Sequence, residues 1–218
     1  MGYGIRAEVW GDYALFSRPE LKTERVSYDV MTPSAARGLL EAVMWHPGMR
    51  WHIDRIHVIN PIVFTNIRRN EVKSKIKKEV PKSMVNSGTI PFLATSNDIM
   101  QRASLMLKDV RYVIEAHFEL TNQASPTDTV EKFYAMSCRR LREGKCYHQP
   151  CFGTRECTAH FRLIEDKEEL PPAIDETRDL GLMLFDMDYS EPEDIQPMFF
   201  RAKLNKGIMQ IKDCEVFR

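Results

Sequence analysis

No apolar run in this sequence approaches the roughly 20 residues that cross a bilayer. The opening stretch Met1-Gly2-Tyr3-Gly4-Ile5-Arg6 also lacks the apolar segment of a secretory leader. A cytoplasmic location with no membrane partner is the expectation. Five cysteines, Cys138, Cys146, Cys151, Cys157 and Cys214, are an odd number, and without an export signal that favours free thiols over a disulfide framework. Glycine-rich phosphate loops of the Walker type are missing, and so are H-E-x-x-H and G-x-S-x-G motifs, so nucleotide hydrolysis and serine hydrolase chemistry have no support. Net charge is missing too, with 31 Lys and Arg against 31 Asp and Glu. That zero conceals a division: residues 165–218 carry 7 basic and 14 acidic side chains, net −7, which leaves residues 1–164 at net +7. The first part can attract a polyanion and the second repels one.

What is present is periodicity. In Arg111–Leu120, strict alternation sends Tyr112, Ile114, Ala116, Phe118 and Leu120 to one strand face, and Arg111, Val113, Glu115, His117 and Glu119 to the other. His117 therefore stands on a polar face, the one residue type whose ordinary pKa lies near neutrality. Residues 3–11 alternate with Ile5, Ala7 and Val9 inward. Thr32-Pro33-Ser34 signals a helix start, a threonine N-cap followed by proline at the first position. Ala36, Leu39, Leu40 and Val43 then form its apolar stripe. The helix should stop near Trp45, since His46 precedes Pro47. From Arg50 to Asn60 a strand has Ile53 and Ile59 on the face opposite Ile56 and Val58, so its inward face is ambiguous.

Residues 61–102 form an insertion whose stretch 66–82 holds 7 basic and 2 acidic residues, expected as a charged loop or hairpin. A strand over 103–121 and a helix over 127–142 follow, with Val130, Phe133, Tyr134 and Leu141 as buried candidates. A strand over 158–164 closes this part. The order strand, helix, strand, insertion, strand, helix, strand is that of a ferredoxin-like α+β domain over residues 1–164, with one sheet face left free. Residues 165–218 suggest a small, acidic, antiparallel β-rich lobe, with a last hairpin turn at Asn205-Lys206-Gly207.

Three blocks carry a resemblance: Gly11-Asp12-Tyr13-Ala14-Leu15-Phe16-Ser17-Arg18-Pro19-Glu20, Ser27-Tyr28-Asp29-Val30, and Thr32-Pro33-Ser34-Ala35-Ala36-Arg37-Gly38-Leu39-Leu40-Glu41-Ala42. With Val110-Arg111-Tyr112, Ala116-His117-Phe118 and Gly153-Thr154-Arg155-Glu156-Cys157, they resemble the CRISPR-associated Cas-five family, in the subtype I-C form also called Cas-five-d or Dvulg. The resemblance implies a RAMP-type ferredoxin fold, binding to CRISPR repeat RNA, membership of the Cascade complex with its other subunits, and metal-independent endoribonuclease activity on the precursor transcript. Non-specific contact with DNA is a further expectation. Such proteins use a tyrosine near the end of the first helix, with a lysine and a histidine close together on a strand. His117 matches the histidine. The helix end here is Met44-Trp45-His46-Pro47 and the residues before His117 are Glu115-Ala116, so the tyrosine and lysine have no match.

Metal-independent RNA cleavage requires the 2′-OH to lose a proton as it attacks phosphorus and the leaving 5′-oxygen to gain one. His117 is the candidate for one transfer and His46 or Tyr13 for the other, with a lysine or arginine neutralising the phosphate. Glu115 and Glu119, two residues either side of His117, are the carboxylates expected to act on its ring. The RNA-binding candidates are Arg18, Lys22, Arg25, Arg68, Arg69, Lys73, Lys75, Lys77 and Lys78. Tyr13 and Phe16 can stack on bases or pack in the core. Cys146, His148, Cys151, Cys157 and His160 fall within 15 residues but lack paired C-x₂-C spacing, so no metal and no cofactor is expected. The competing function is a non-catalytic Cascade scaffold that grips the guide 5′ handle.

Overall fold

The computed structural model describes residues 4–21, 24–75, 92, 94–191 and 193–218. Its elements are β1 (Gly4–Ala14), β2 (Arg25–Val26), α1 (Pro33–Val43), β3 (Met49–Val58), β4 (Val63–Val72), a 3₁₀ turn (Thr95–Asn97), β5 (Ile99–Leu120), α2 (Val130–Glu143), β6 (His160–Leu163), β7 (Arg178–Asp188), β8 (Gln196–Asn205), β9 (Ile208–Gln210) and β10 (Val216–Phe217). Among the described residues, two helices thus accompany a mostly antiparallel sheet, an α+β architecture. The path across the sheet runs β10-β8-β9-β3-β5-β1-β6, with β7 on β8 and both β2 and β4 on β5. No helix among the described residues is long and apolar enough to cross a membrane.

Both helices begin as their sequences dictate. The Thr32 hydroxyl accepts from the Ala35 N–H at 3.2 Å with Pro33 at the first position, and Thr129 caps α2 through the Lys132 N–H at 3.2 Å. Each satisfied N–H contributes about 1 kcal/mol. α1 ends at Val43, just short of the expected stop, and α2 ends on Gly144 in the left-handed region at φ 66°. The helices bury Leu39, Leu40, Val43, Phe133 and Leu141 in one core with Tyr112, Ile114, Ala116 and Phe118 of β5. Val130 and Tyr134 are only half-buried and Leu120 is exposed.

β3 resolves its own ambiguity with a bulge. Its register against β5 shifts between Ile53 and Arg55, so Trp51 and Ile53 before the bulge share an inward face with Ile56 and Val58 after it, all buried. One extra residue, Asp54, absorbs the change of parity.

The opposite sheet face is less open than expected. Its middle is closed over, with Val113 at 0%, Glu8 at 1% and His57 at 6% exposure. The basic insertion begins as a strand: β4 pairs residue by residue with the first half of β5, from Val63 opposite Lys108 to Val72 opposite Ile99. Lys22, Lys77 and Lys78 lie outside the described residues.

The acidic C-terminal strands join the same sheet, since Met209 of β9 pairs with Ile56 of β3. Met183, Phe200, Leu204 and Met209 share the common core. The β8–β9 turn is as expected, with Lys206 at φ 47° and Gly207 at φ 73°, the positive angles of a tight hairpin. A bidentate contact from Arg37 of α1 to Asp186 of β7, both bonds 2.8 Å, fastens the C-terminal hairpin to the first helix.

Candidate active site

The pairing register places His117 of β5 between His52 on β3 and Gly4 on β1. The glycine has no side chain to crowd the ring. On the other side the His52 and His117 rings stack, with centroids 5.3 Å apart and planes at 17°. Asp54, the bulge residue, reaches the same ring: its two carboxylate oxygens each lie 2.9 Å from His117 Nδ1. A carboxylate only accepts, so Nδ1 carries the hydrogen and Nε2 is left to exchange a proton.

The bulge is itself held from behind. The Asp54 carbonyl accepts the backbone N–H groups of Ile211 (2.9 Å) and Lys212 (3.0 Å). The C-terminal segment after β9 thus fixes the carboxylate that orients His117 and brings Lys212 beside it. His52, Asp54, His117, Arg50, Lys212 and Arg37 line a cleft of about 330 Å³ between β3, α1 and the C-terminal strands. Arg50 and Lys212 are exposed, and neither forms an ion pair with another described residue; Arg37 is committed to Asp186 and Glu41.

The two expected carboxylates are otherwise engaged. Glu119 lies 3.6 Å from His52 Nε2, and Glu115 accepts from His57 Nε2 at 2.6 Å with Arg55 3.4 Å away. The His57 hydrogen bond, working against partial burial, holds the Glu115 carboxyl below its ordinary range. Burial is the largest influence on His52 and lowers its pKa, with Glu119 opposing and His117 and Arg50 adding to the effect. Burial thus favours the neutral imidazole of His52, beside the Asp54-oriented His117.

The other candidates fall elsewhere. His46 closes the turn after α1: its Nδ1 accepts the Gly48 N–H at 3.0 Å and its ring packs on Phe133 at 5.0 Å. Tyr13 lies nine residues along β1 from Gly4, roughly 30 Å from the position opposite His117 at strand rise, too far to share a proton-transfer step with it. Arg18 pairs with Asp29 at 2.9 Å and lies over the Tyr28 ring at 4.5 Å. Arg25 approaches Glu71 at 3.6 Å. Arg69 bonds Glu156 and the Ser104 hydroxyl, tying β4 to the 153–157 loop. Arg68, Lys73 and Lys75 are exposed. Phe16 is buried, as a core residue.

Sequence reasoning missed His52 and Asp54. Their signal was the odd spacing of Ile53 and Ile56, which only a bulge near residue 54 reconciles with one buried face. Among the cysteines weighed for zinc, Cys157 is buried and its sulfur accepts from the Thr154 hydroxyl at 3.4 Å. Burial raises both the Cys151 and Cys157 thiols, which works against thiolate ligands. Among the described residues no group of three or more His, Cys, Asp or Glu is arranged to hold a metal ion.

Two sequence relatives match this chain over nearly their whole length. The chain is 46% identical over 217 residues to a CRISPR pre-crRNA endoribonuclease Cas5d of Mannheimia succiniciproducens, covering 97% of this chain and 96% of the relative. It is 39% identical over 224 residues to a protein of the same name from Thermus thermophilus, covering 95% and 90%. Among solved structures, the crystal structure of a CRISPR-associated protein superposes with a TM-score of 0.71 at 22% identity, over 99% of this chain and 96% of that one, a likeness of fold. The family model described as CRISPR-associated protein (Cas_Cas5) matches residues 4–212, and the chain belongs to the Cas5d family of CRISPR-associated proteins, the subtype I-C form.

Proposed function

We propose that this protein is the endoribonuclease that cuts CRISPR precursor RNA without a metal and stays on the guide RNA as a Cascade subunit. The observation that carries the chemistry is the Asp54–His117–His52 arrangement in one cleft. In this reading neutral His52 takes the proton from the ribose 2′-OH as the 2′-oxygen attacks phosphorus. A 2′,3′-cyclic phosphate forms, the bond to the 5′-oxygen breaks, and His117, oriented by Asp54, delivers the Nε2 proton to that leaving oxygen. Each such transfer is worth about 10²–10⁴-fold. In this reading Arg50 and Lys212, exposed in the same cleft, supply the cation that neutralises the phosphate.

The strand order β3-β5-β1-β6, with α1 between β1 and β3 and α2 between β5 and β6, supports a ferredoxin-like core for this domain. Arg68, Lys73 and Lys75 on the β4 arm supply exposed positive charge for the RNA backbone. The same charge would admit DNA without sequence preference.

The test is to incubate repeat RNA with the wild-type and His117→Ala proteins in EDTA. Cutting by the wild type alone, abolished by a 2′-deoxy substitution at the scissile position, is the expected result. Binding without cutting by the wild type would leave only a scaffold that grips the 5′ handle.

A further inference from the structure

A second cluster stands on the sheet face that carries His117, away from the cleft. Trp10 of β1 is in register with Arg111 of β5 and His160 of β6. Its indole stacks on the His160 ring, with centroids 5.8 Å apart and planes at 23°, yet stays 37% exposed. Two residues earlier, the buried Glu8 accepts from Arg111 Nε through one oxygen and from Arg162 Nε through the other, each at 2.6 Å. Both arginine side chains remain more than 40% exposed while held by this carboxylate, and Arg162 also pairs with Glu168 at 2.6 Å. Trp10, Arg111, Arg162, Asp12, Asn60 and Asp109 border a depression of about 460 Å³.

The charges around it decide what it can hold. Glu8, Asp12 and Asp109 against Arg111 and Arg162 leave a net −1 around the depression, so a phosphate gains nothing there. A nucleobase gains on two sides: its flat face stacks on the indole, and the N–H groups on its edge find carboxylate and amide acceptors. The arginines need no ordering on binding, because Glu8 already fixes them.

We propose that this depression is a nucleobase subsite in which Trp10 stacks one unpaired base of the substrate RNA. The proposal rests on the RNA-processing reading above and gives it a sequence-selecting element. Trp10 is six residues along β1 from Gly4, roughly 20 Å from the position opposite His117. The base bound there is therefore not at the scissile bond but a few nucleotides away from it.

The experiment uses repeat RNA made uncleavable by a 2′-deoxy scissile nucleotide, bound in EDTA, with single abasic substitutions introduced one position at a time. One abasic position should weaken wild-type binding by about 5- to 150-fold, the range for loss of one stacked base. Trp10→Leu, which keeps apolar bulk but offers no ring, should bind intact RNA more weakly by a similar factor and be insensitive to that one position. Trp10→Phe should keep the wild-type abasic profile. An unchanged affinity or an unchanged abasic profile in Trp10→Leu overturns the subsite. Cleavage of unmodified repeat RNA by the wild type is scored separately, so a failure of the nuclease reading is visible without deciding the fate of Trp10.

Discussion

Asp54 and His117 meet across two neighbouring strands, both oxygens of the carboxylate 2.9 Å from the imidazole Nδ1, because a bulge in β3 turns an otherwise misdirected side chain toward the ring. Replacing the carboxylate by an amide keeps the shape but loses the exclusive acceptor that fixes the tautomer. Asp54→Asn should therefore lower the single-turnover cleavage rate by about 10²-fold or more while leaving RNA affinity within a factor of two. An equal fall in affinity would mean that Asp54 holds the cleft together and does not orient His117.

The stacked partner, His52, gives the reaction a pH signature. Its pKa is lowered from 6.5, chiefly by burial, and a general base must be unprotonated to act. Cleavage should thus fall on the acid side with a midpoint below 6.5. In His52→Ala this acid limb should vanish along with most of the rate. Persistence of the same limb in the variant would assign it to another group.

How much of this was legible beforehand depends on whether local or non-local pairing decides the outcome. The alternation in β5 correctly gave the buried row Tyr112, Ile114, Ala116 and Phe118, since a central strand packed on one face has a period of two. The Thr32-Pro33 start and the Lys206-Gly207 turn were equally local, set by capping and by positive φ. Asp54 and His52 were hidden because a bulge shifts parity in the middle of a strand, and its cause is remote: the Ile211 and Lys212 amides that bind the Asp54 carbonyl from more than 150 residues away. Strand pairing also gave β4 its form, for a segment rich in arginine and lysine shows its strand character only when the first half of β5 lies beside it.

Glu115 offers a stability measurement independent of activity. Its folded pKa is depressed below 4.5, first by the His57 hydrogen bond, so the stabilisation it provides is fully present above the unfolded value and is lost as pH falls through the folded one. Wild type should exceed Glu115→Gln in urea-unfolding stability at pH 7, and the gap should close only as the pH drops below about 4.5. A gap that widened on acidification would reverse the sign of the linkage and refute the assignment.

The β4 arm predicts a salt effect. Arg68, Lys73 and Lys75 are exposed on it or just beyond it, and each phosphate contact on single-stranded RNA contributes about 0.7 to the slope of log affinity against log salt. Changing all three to glutamine should weaken repeat-RNA binding and flatten that slope by about 2. A parallel line, shifted or not, would take the arm out of the interface.

Two glycines make opposite predictions for the same substitution. Gly153 sits at φ 84°, and a Cβ there would run into the carbonyl of Leu15. Its loop is bound to the core by Phe152 accepting from Leu15 (3.0 Å) and donating to Cys157 (2.8 Å), and it positions Glu156 against Arg69. Gly153→Ala should accordingly cost more than about 1 kcal/mol, a fall in Tm of at least about 2 °C for a domain of this size. Gly38 lies on the exposed side of α1 with nothing within 4 Å of an added Cβ, and alanine is preferred over glycine in a helix interior by about 1 kcal/mol. Gly38→Ala should raise the Tm by a similar amount. Calorimetry on the two variants side by side decides the matter: if Gly153→Ala is neutral, the loop can adopt another backbone, and the contact between Glu156 and Arg69 does not depend on the tight approach of Gly153 to Leu15.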